Sequence, residues 1–258
     1  MGHAGLTTQA AHFGAEKFAR DGIGQAGVDL APFSAWIDAW HMTSTAPANS
    51  DPLAQLQVTA TGPNWSYDLE LEANGPLVLQ GDAGYSVKSQ SGQASYYYSQ
   101  PFYDVSGTLD LPTGPVAVQG QAWLDREWSS QPLDSDQSGW DWFSLHLGDG
   151  SKVMGFRLRA DQGDDYATGT WISPDGTPEP LQPGAFQIAP LRLADVKGRQ
   201  IPVEWQVQIP AKDFSVRVEA LNDASWMDTL FPYWEGPIAF DGTHSGTGYL
   251  EMTGYAPE

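Results

Sequence analysis

The chain of 258 residues contains no cysteine, which excludes disulfides, thiolate nucleophiles and cysteine-ligated metals. Basic residues are scarce: 12 Lys and Arg stand against 32 Asp and Glu, a formal charge of −20. Nucleic acids and anionic membranes would be repelled by that charge, so neither is expected as a partner. No apolar run approaches the roughly 20 residues that a transmembrane helix needs. The opening residues, MGHAGLTTQAAHFGAEKF, lack a basic segment followed by an apolar one and do not read as a signal peptide. Histidine occurs only at His3, His12, His41, His146 and His244, without metal-ligand spacing, so no metal site is expected. A Gly-x-Ser-x-Gly elbow and a glycine-rich phosphate loop are missing too.

What the chain does hold is 28 Gly, 19 Pro, 11 Trp, 10 Tyr and 10 Phe, a composition suited to short strands joined by turns. Alternating segments are expected as strands at 33–40, 53–61, 65–72, 76–80, 94–103 and 105–111. Residues 14–21 read as a short helix or a bent strand. The turn Pro112-Thr113-Gly114-Pro115 is taken as the junction between domains spanning 1–114 and 115–258. Strands then recur at 168–172, 186–193, 202–209, 214–220, 233–240 and 246–255. Such spacing, with no long helix, is that of all-β sandwiches and barrels.

The most informative stretch is 116–159. It reads as strands at 116–128, 140–147 and 152–159, with Gly148-Asp149-Gly150 as the second turn. Period-two alternation puts Trp123, Asp125 and Glu127 on one face of the first strand. Trp140, Trp142, Ser144 and His146 share a face of the second, with Asp141 opposite. In a small barrel such faces project into the interior, so the acids and indoles are expected together in a dry hollow inside the second barrel.

Two readings of each feature stand open. Asp125 and Glu127 either pair with Arg126, Arg157 or Arg159 in a structural network, or one of them is a general acid whose pKa an apolar pocket raises. Trp140 and Trp142 are either core packing or an aromatic wall that steadies a carbocation. Tyr233 and Glu235 share a face and form either a structural contact or a proton relay. Tyr97 points away from its neighbours Tyr96 and Tyr98, as a lining or a packing residue.

The segments GQAWLDREWSS (120–130), GWDWFSLHL (139–147) with its DG turn, and YWEG (233–236) with GYLEMTGY (248–255) carry a family resemblance. The pattern GxxGYSxK…ASYYYS (81–99) adds to it. Over nearly its whole length the chain resembles the carotenoid 1,2-hydratase/AttH-type lipocalin-like family. The resemblance implies an all-β fold of two consecutive lipocalin-like antiparallel barrels. It also implies a strand upstream of Gly2, missing from this chain or supplied by another. It places the catalytic location in AWLDREW, where Arg126 and Glu127 stand in positions at which the hydratases favour other residues, notably His. Together with the face pattern it nominates Asp125, Glu127 and Glu235 as catalytic. Trp123, Trp140, Trp142, His146, Tyr97 and Tyr233 are nominated as ligand-binding. The implied activity is hydratase (hydro-lyase) or cyclase chemistry on an isoprenoid- or polyketide-like molecule, by protonation of a C=C bond and without a cofactor. The alternatives are a non-catalytic lipophile-binding protein associated with an ABC-type export system, and a scaffold with both barrels filled. A periplasmic or membrane-associated location is the family's.

Overall fold

The computed structural model describes residues 1–130, 133 and 136–255. Among them there is no α-helix, and one 3-10 turn at Pro210–Lys212 interrupts the strands. β1 (Gly2–Thr7) and β2 (His12–Lys17) form a two-stranded sheet. A second sheet contains β3 (Ala26–Leu30), β4 (Phe33–Ile37), β5 (Trp40–Ser44), β6 (Gln55–Thr61) and β7 (Ser66–Ala73). It is completed by β8 (Val78–Leu79), β9 (Tyr85–Val87), β10 (Ala94–Leu111) and β11 (Gly114–Trp128). Its strand order is β11-β10-β7-β6-β5-β4-β3, with β8 and β9 also paired to β10.

The third sheet begins with β12 (Gln137–Leu147), β13 (Lys152–Ala160), β14 (Tyr166–Ile172) and β15 (Pro178–Pro180). It continues through β16 (Gln187–Asp195), β17 (Gln200–Ile209), β18 (Phe214–Ala220), β19 (Trp226–Met227), β20 (Tyr233–Gly242) and β21 (Gly246–Met252). The order is β15-β14-β13-β12-β21-β20-β18-β17-β16, and β19 pairs with β20. All these pairings are antiparallel, and the sheets are curled, as in lipocalin-like folds.

Period-two patterning explains the core of the third sheet. Ile201, Val203, Trp205, Val207 and Ile209 alternate along β17 and are all fully buried. Phe143, Leu145 and Leu147 of β12, Phe214, Val216 and Val218 of β18, and Leu250 and Met252 of β21 join them in one apolar cluster. Phe143 meets Phe186 and Trp205 edge-on at centroid distances of 5.9 and 5.7 Å, the geometry ring quadrupoles prefer. Gly155 makes room for Phe186, since a Cβ there would lie 2.4 Å from the ring. In the β12–β13 turn, Gly150 takes φ 90°, a value open to glycine at little cost.

One open reading is decided and two expectations are corrected. Of the helix and the strand read for 14–21, the strand holds as far as Lys17, because His12–Lys17 pairs with β1. The aromatic run 33–40 is two strands, since Asp38 adopts φ 53° and reverses the chain before Trp40. The segments 94–103 and 105–111 are one unbroken strand of 18 residues. The chain forms two compact units that interleave in sequence. Met1–Leu6, Phe13–Pro76 and Gln100–Leu124 make the first, and Thr7–His12, Leu77–Ser99 and Asp125–Glu258 the second. Segment 77–99 thus groups with the C-terminal part, and 115–124 with the N-terminal part.

Candidate functional site

Within the second unit, one cavity of about 400 Å³ gathers most of the chemistry read from the sequence. Its first wall is built by β10 and β11. Alternation along β10 turns Ser95, Tyr97 and Ser99 to one side, where they meet the acids of β11. Asp125 accepts hydrogen bonds from the Tyr97 hydroxyl at 2.7 Å and the Ser99 hydroxyl at 2.5 Å. Glu127 accepts one from Ser95 at 2.5 Å and pairs with the Lys88 ammonium at 2.7 Å. Tyr97 also accepts the indole N–H of Trp142 at 3.0 Å, joining this wall to the next.

The facing wall comes from β12, β13 and β21: Trp140, Trp142, Phe156, Leu158 and Glu251. Strand register makes Glu251, Trp142 and Phe156 lateral neighbours, because Trp142 pairs with Glu251 on one side and Phe156 on the other. Glu235 extends the row, standing opposite Glu251. Trp140 donates its indole N–H to Glu251 at 2.7 Å. Trp128, 54% exposed, brings one side of the lining to solvent.

The location departs from expectation. Phe143, Leu145 and Leu147 of β12 enter the apolar core, so Trp140 and Trp142, of the opposite parity, occupy the reverse face of that sheet. The hollow therefore lies behind the core cluster and not inside it. Of the nominated residues, Asp125, Glu127, Trp140, Trp142 and Tyr97 line the cavity, whereas Trp123, His146, Tyr233 and Glu235 do not. Trp123 falls in the first unit. His146 shares the Trp142 face but lies farther along β12, beside Lys152. The Tyr233 hydroxyl is 3.4 Å from the Glu235 carboxylate.

Two of the arginines considered as partners of the β11 acids, Arg157 and Arg159, go to another carboxylate. Asp141, fully buried, receives Arg157 at 2.9 and 2.7 Å, Arg159 at 2.5 Å and the Tyr255 hydroxyl at 2.9 Å. Arg159 also donates to the carbonyl of Thr253.

Two charged lining residues, Lys88 and Glu251, are not among those nominated from the sequence. Glu251 lay unremarked within GYLEMTGY, and Lys88 closes the GxxGYSxK pattern. Burial raises the pKa of the Glu251 carboxyl, and the charges of Asp125 and Glu127 raise it further against the Trp140 hydrogen bond. Burial and the charge of Glu251 push Glu235 up to about 7. Burial lowers the pKa of Lys88, opposed by Glu127 and Asp125. The Tyr97 phenol is raised well above its ordinary value by burial and by the nearby carboxylates, so it stays a neutral donor. The cavity thus combines anionic acceptors, a carboxyl biased toward its protonated form and indole faces.

Curled antiparallel sheets with an acid- and indole-lined hollow define a lipocalin-like β-protein. Residues 1–255 match the AttH-like family, and the chain belongs to it. A similar solved structure is that of an AttH protein from Nitrosomonas europaea, 30% identical. The match covers 98% of this chain and 81% of that one, with a TM-score of 0.85. Kievitone hydratase from Nectria haematococca is similar in fold at 18% identity and TM-score 0.69, over 86% of this chain and 70% of that one. No functionally curated protein matches the chain significantly.

Proposed function

We propose that this protein hydrates a C=C bond of a lipophilic, isoprenoid- or polyketide-like molecule. The observation that carries the reading is Glu251. It is a carboxyl with a raised pKa, held by the Trp140 N–H beside the Trp142 indole and opening into the same cavity as Asp125. In its neutral form Glu251 gives its proton to one alkene carbon, and the π pair becomes the new C–H bond. The adjacent carbon becomes a cation facing the indoles, whose π faces attract positive charge. Asp125, oriented by the hydroxyls of Tyr97 and Ser99, is the acceptor that takes a proton from the water as that water captures the cation. Return of that proton to Glu251 completes addition of water, with Glu235 as the neighbouring proton reservoir. Glu127 neutralises Lys88. Closure of the cation by the substrate's own second double bond is the cyclase variant. The fold-level likeness to a hydratase supports this class of chemistry.

The test is incubation with acyclic terpenoid alkenes in H₂¹⁸O, followed by mass spectrometry of the products. Label in a tertiary alcohol is expected, and Glu251→Gln is expected to lower its rate by about 10²–10⁴-fold while ligand binding is kept. Equal rates for the two proteins would sink the assignment. Retention of ligand without product in either would favour the second reading, a lipophile-binding protein serving an ABC-type exporter. That reading rests on the aromatic walls alone, which hold an apolar molecule without any proton transfer.

A further inference from the structure

The hydration scheme leaves Lys88 with no direct role toward the substrate. Its ammonium lies 4.1 Å from the centroid of the Phe156 ring and 4.8 Å from that of Tyr97. The side chain is only 12% exposed. Of its three N–H donors, one is taken by Glu127, its oxygen partner among the described residues. Ring faces attract the charge but offer no lone pair, so the remaining donors suit an oxygen brought by a ligand.

Electrostatics then fixes which end of the ligand this is. A carbocation formed against an ammonium would be destabilised, so the reacting carbon belongs at the opposite end, by Glu251 and the indoles. The sheet itself measures the separation. Glu251, Trp142 and Phe156 are successive register partners on β21, β12 and β13. Neighbouring strands lie about 4.8 Å apart, so Phe156, with Lys88 above it, is about 10 Å from Glu251. A carboxylate at the Lys88 end would face Asp125 and Glu127 at close range, which argues for a neutral oxygen.

Resting on the reading of this cavity as the substrate site, we infer that Lys88 is a specificity-determining residue. It selects a lipophile that carries a neutral oxygen function, a ketone or a hydroxyl, about 10 Å from the double bond that Glu251 addresses. A pure hydrocarbon leaves the ammonium donors buried against nothing, and buried unmet donors are costly.

The experiment compares three acyclic probes of matched length by quenching of tryptophan fluorescence. They are geranylacetone, the hydrocarbon with a methylene in place of its carbonyl, and the corresponding carboxylate. The wild-type protein is expected to bind the ketone at least about tenfold more tightly than either of the others. Lys88→Met should bring the ketone-to-hydrocarbon ratio to near unity, the hydrocarbon gaining affinity because no buried donor is then left unmet, and Lys88→Arg should keep most of the preference. The wild-type ratio and the Lys88→Arg ratio decide the matter even if Lys88→Met fails to fold. Equal binding of ketone and hydrocarbon, a ratio that survives Lys88→Met, or binding of none of the probes overturns the inference. Hydration of the hydrocarbon at the rate of the ketone would spare the hydratase reading while removing this one. Selective ketone binding with no ¹⁸O product would do the reverse.

Discussion

Glu235 and Glu251 face each other across β20 and β21, two carboxyls in direct register. Each has a raised pKa, and the negative charge of Glu251 is part of what brings Glu235 to about 7. Pairs of this kind hold a proton near neutrality, because two adjacent carboxylates in a desolvated setting cannot both ionise cheaply.

The Glu235 shift has a stability consequence with a definite sign. Its folded-state pKa, about 7, lies above the ordinary 4.5. Across that window the unfolded chain releases its proton first, so stability falls as pH rises from 4.5 to about 7 and is level beyond. Glu235→Gln removes the charge and with it the loss. Chemical denaturation should show the variant equal to wild type below pH 4.5 and about 3 kcal/mol more stable above pH 7.

His146 should behave oppositely over nearly the same window. Burial and the charge of Lys152 lower its pKa from 6.5 to about 4. Here the unfolded chain takes up a proton first as pH falls, so stability is lost between 6.5 and about 4. His146→Gln should flatten that acid limb by about 2–3 kcal/mol and leave stability above pH 7 nearly as it was. A variant as acid-sensitive as wild type would contradict the placement.

Tyr97 is the hinge of the cavity's hydrogen bonding, donating to Asp125 and accepting from Trp142. Tyr97→Phe removes the hydroxyl that accepts the Trp142 N–H and one of the two hydroxyls that donate to Asp125, leaving Ser99. A loss of about 1–3 kcal/mol in stability is expected. Turnover should fall more than ligand affinity, because Asp125 is then poorly fixed where charge develops. Product assays beside fluorescence titration check both.

The Asp141 clamp is structural, and its removal should spare the chemistry. Asp141→Asn takes the buried counter-charge from two guanidinium groups, leaving Arg157 with Asp165 and Arg159 with the Thr253 carbonyl, at an expected cost of about 3 kcal/mol. Thermal unfolding reads the loss, and activity per folded molecule at low temperature should be near that of wild type. Specific activity falling together with stability would move Asp141 into the site.

Much of this arrangement was legible before any coordinates. Period two along 116–128 put Asp125 and Glu127 on one face, and the structure keeps them there, facing Ser95, Tyr97 and Ser99 of β10. The same rule separated Asp141 from Trp140 and Trp142. It failed to say which face is the interior, because alternation divides a strand into two sides without naming the one that meets the core. On β12 both sides are buried, Phe143 by the apolar cluster and Ser144 on the reverse. Glu251 is not legible from sequence, since a single acid in an apolar strand looks like a solvent-facing residue until the opposing wall is known. Lys88 is not legible either, because nothing local links it to Glu127, 39 positions later in the chain.

The sequence by itself determined the strand content, the two-sidedness of each strand and the kind of chemistry on offer, since these follow from short-range sterics, turn residues and alternation. Only the tertiary structure decided which acids are partnered by hydroxyls, which by guanidinium groups, and which share a desolvated hollow with indoles. Those choices depend on strand register and on segment 77–99 joining the C-terminal unit. They are set by long-range packing, where one residue of slip exchanges a core side chain for a cavity one.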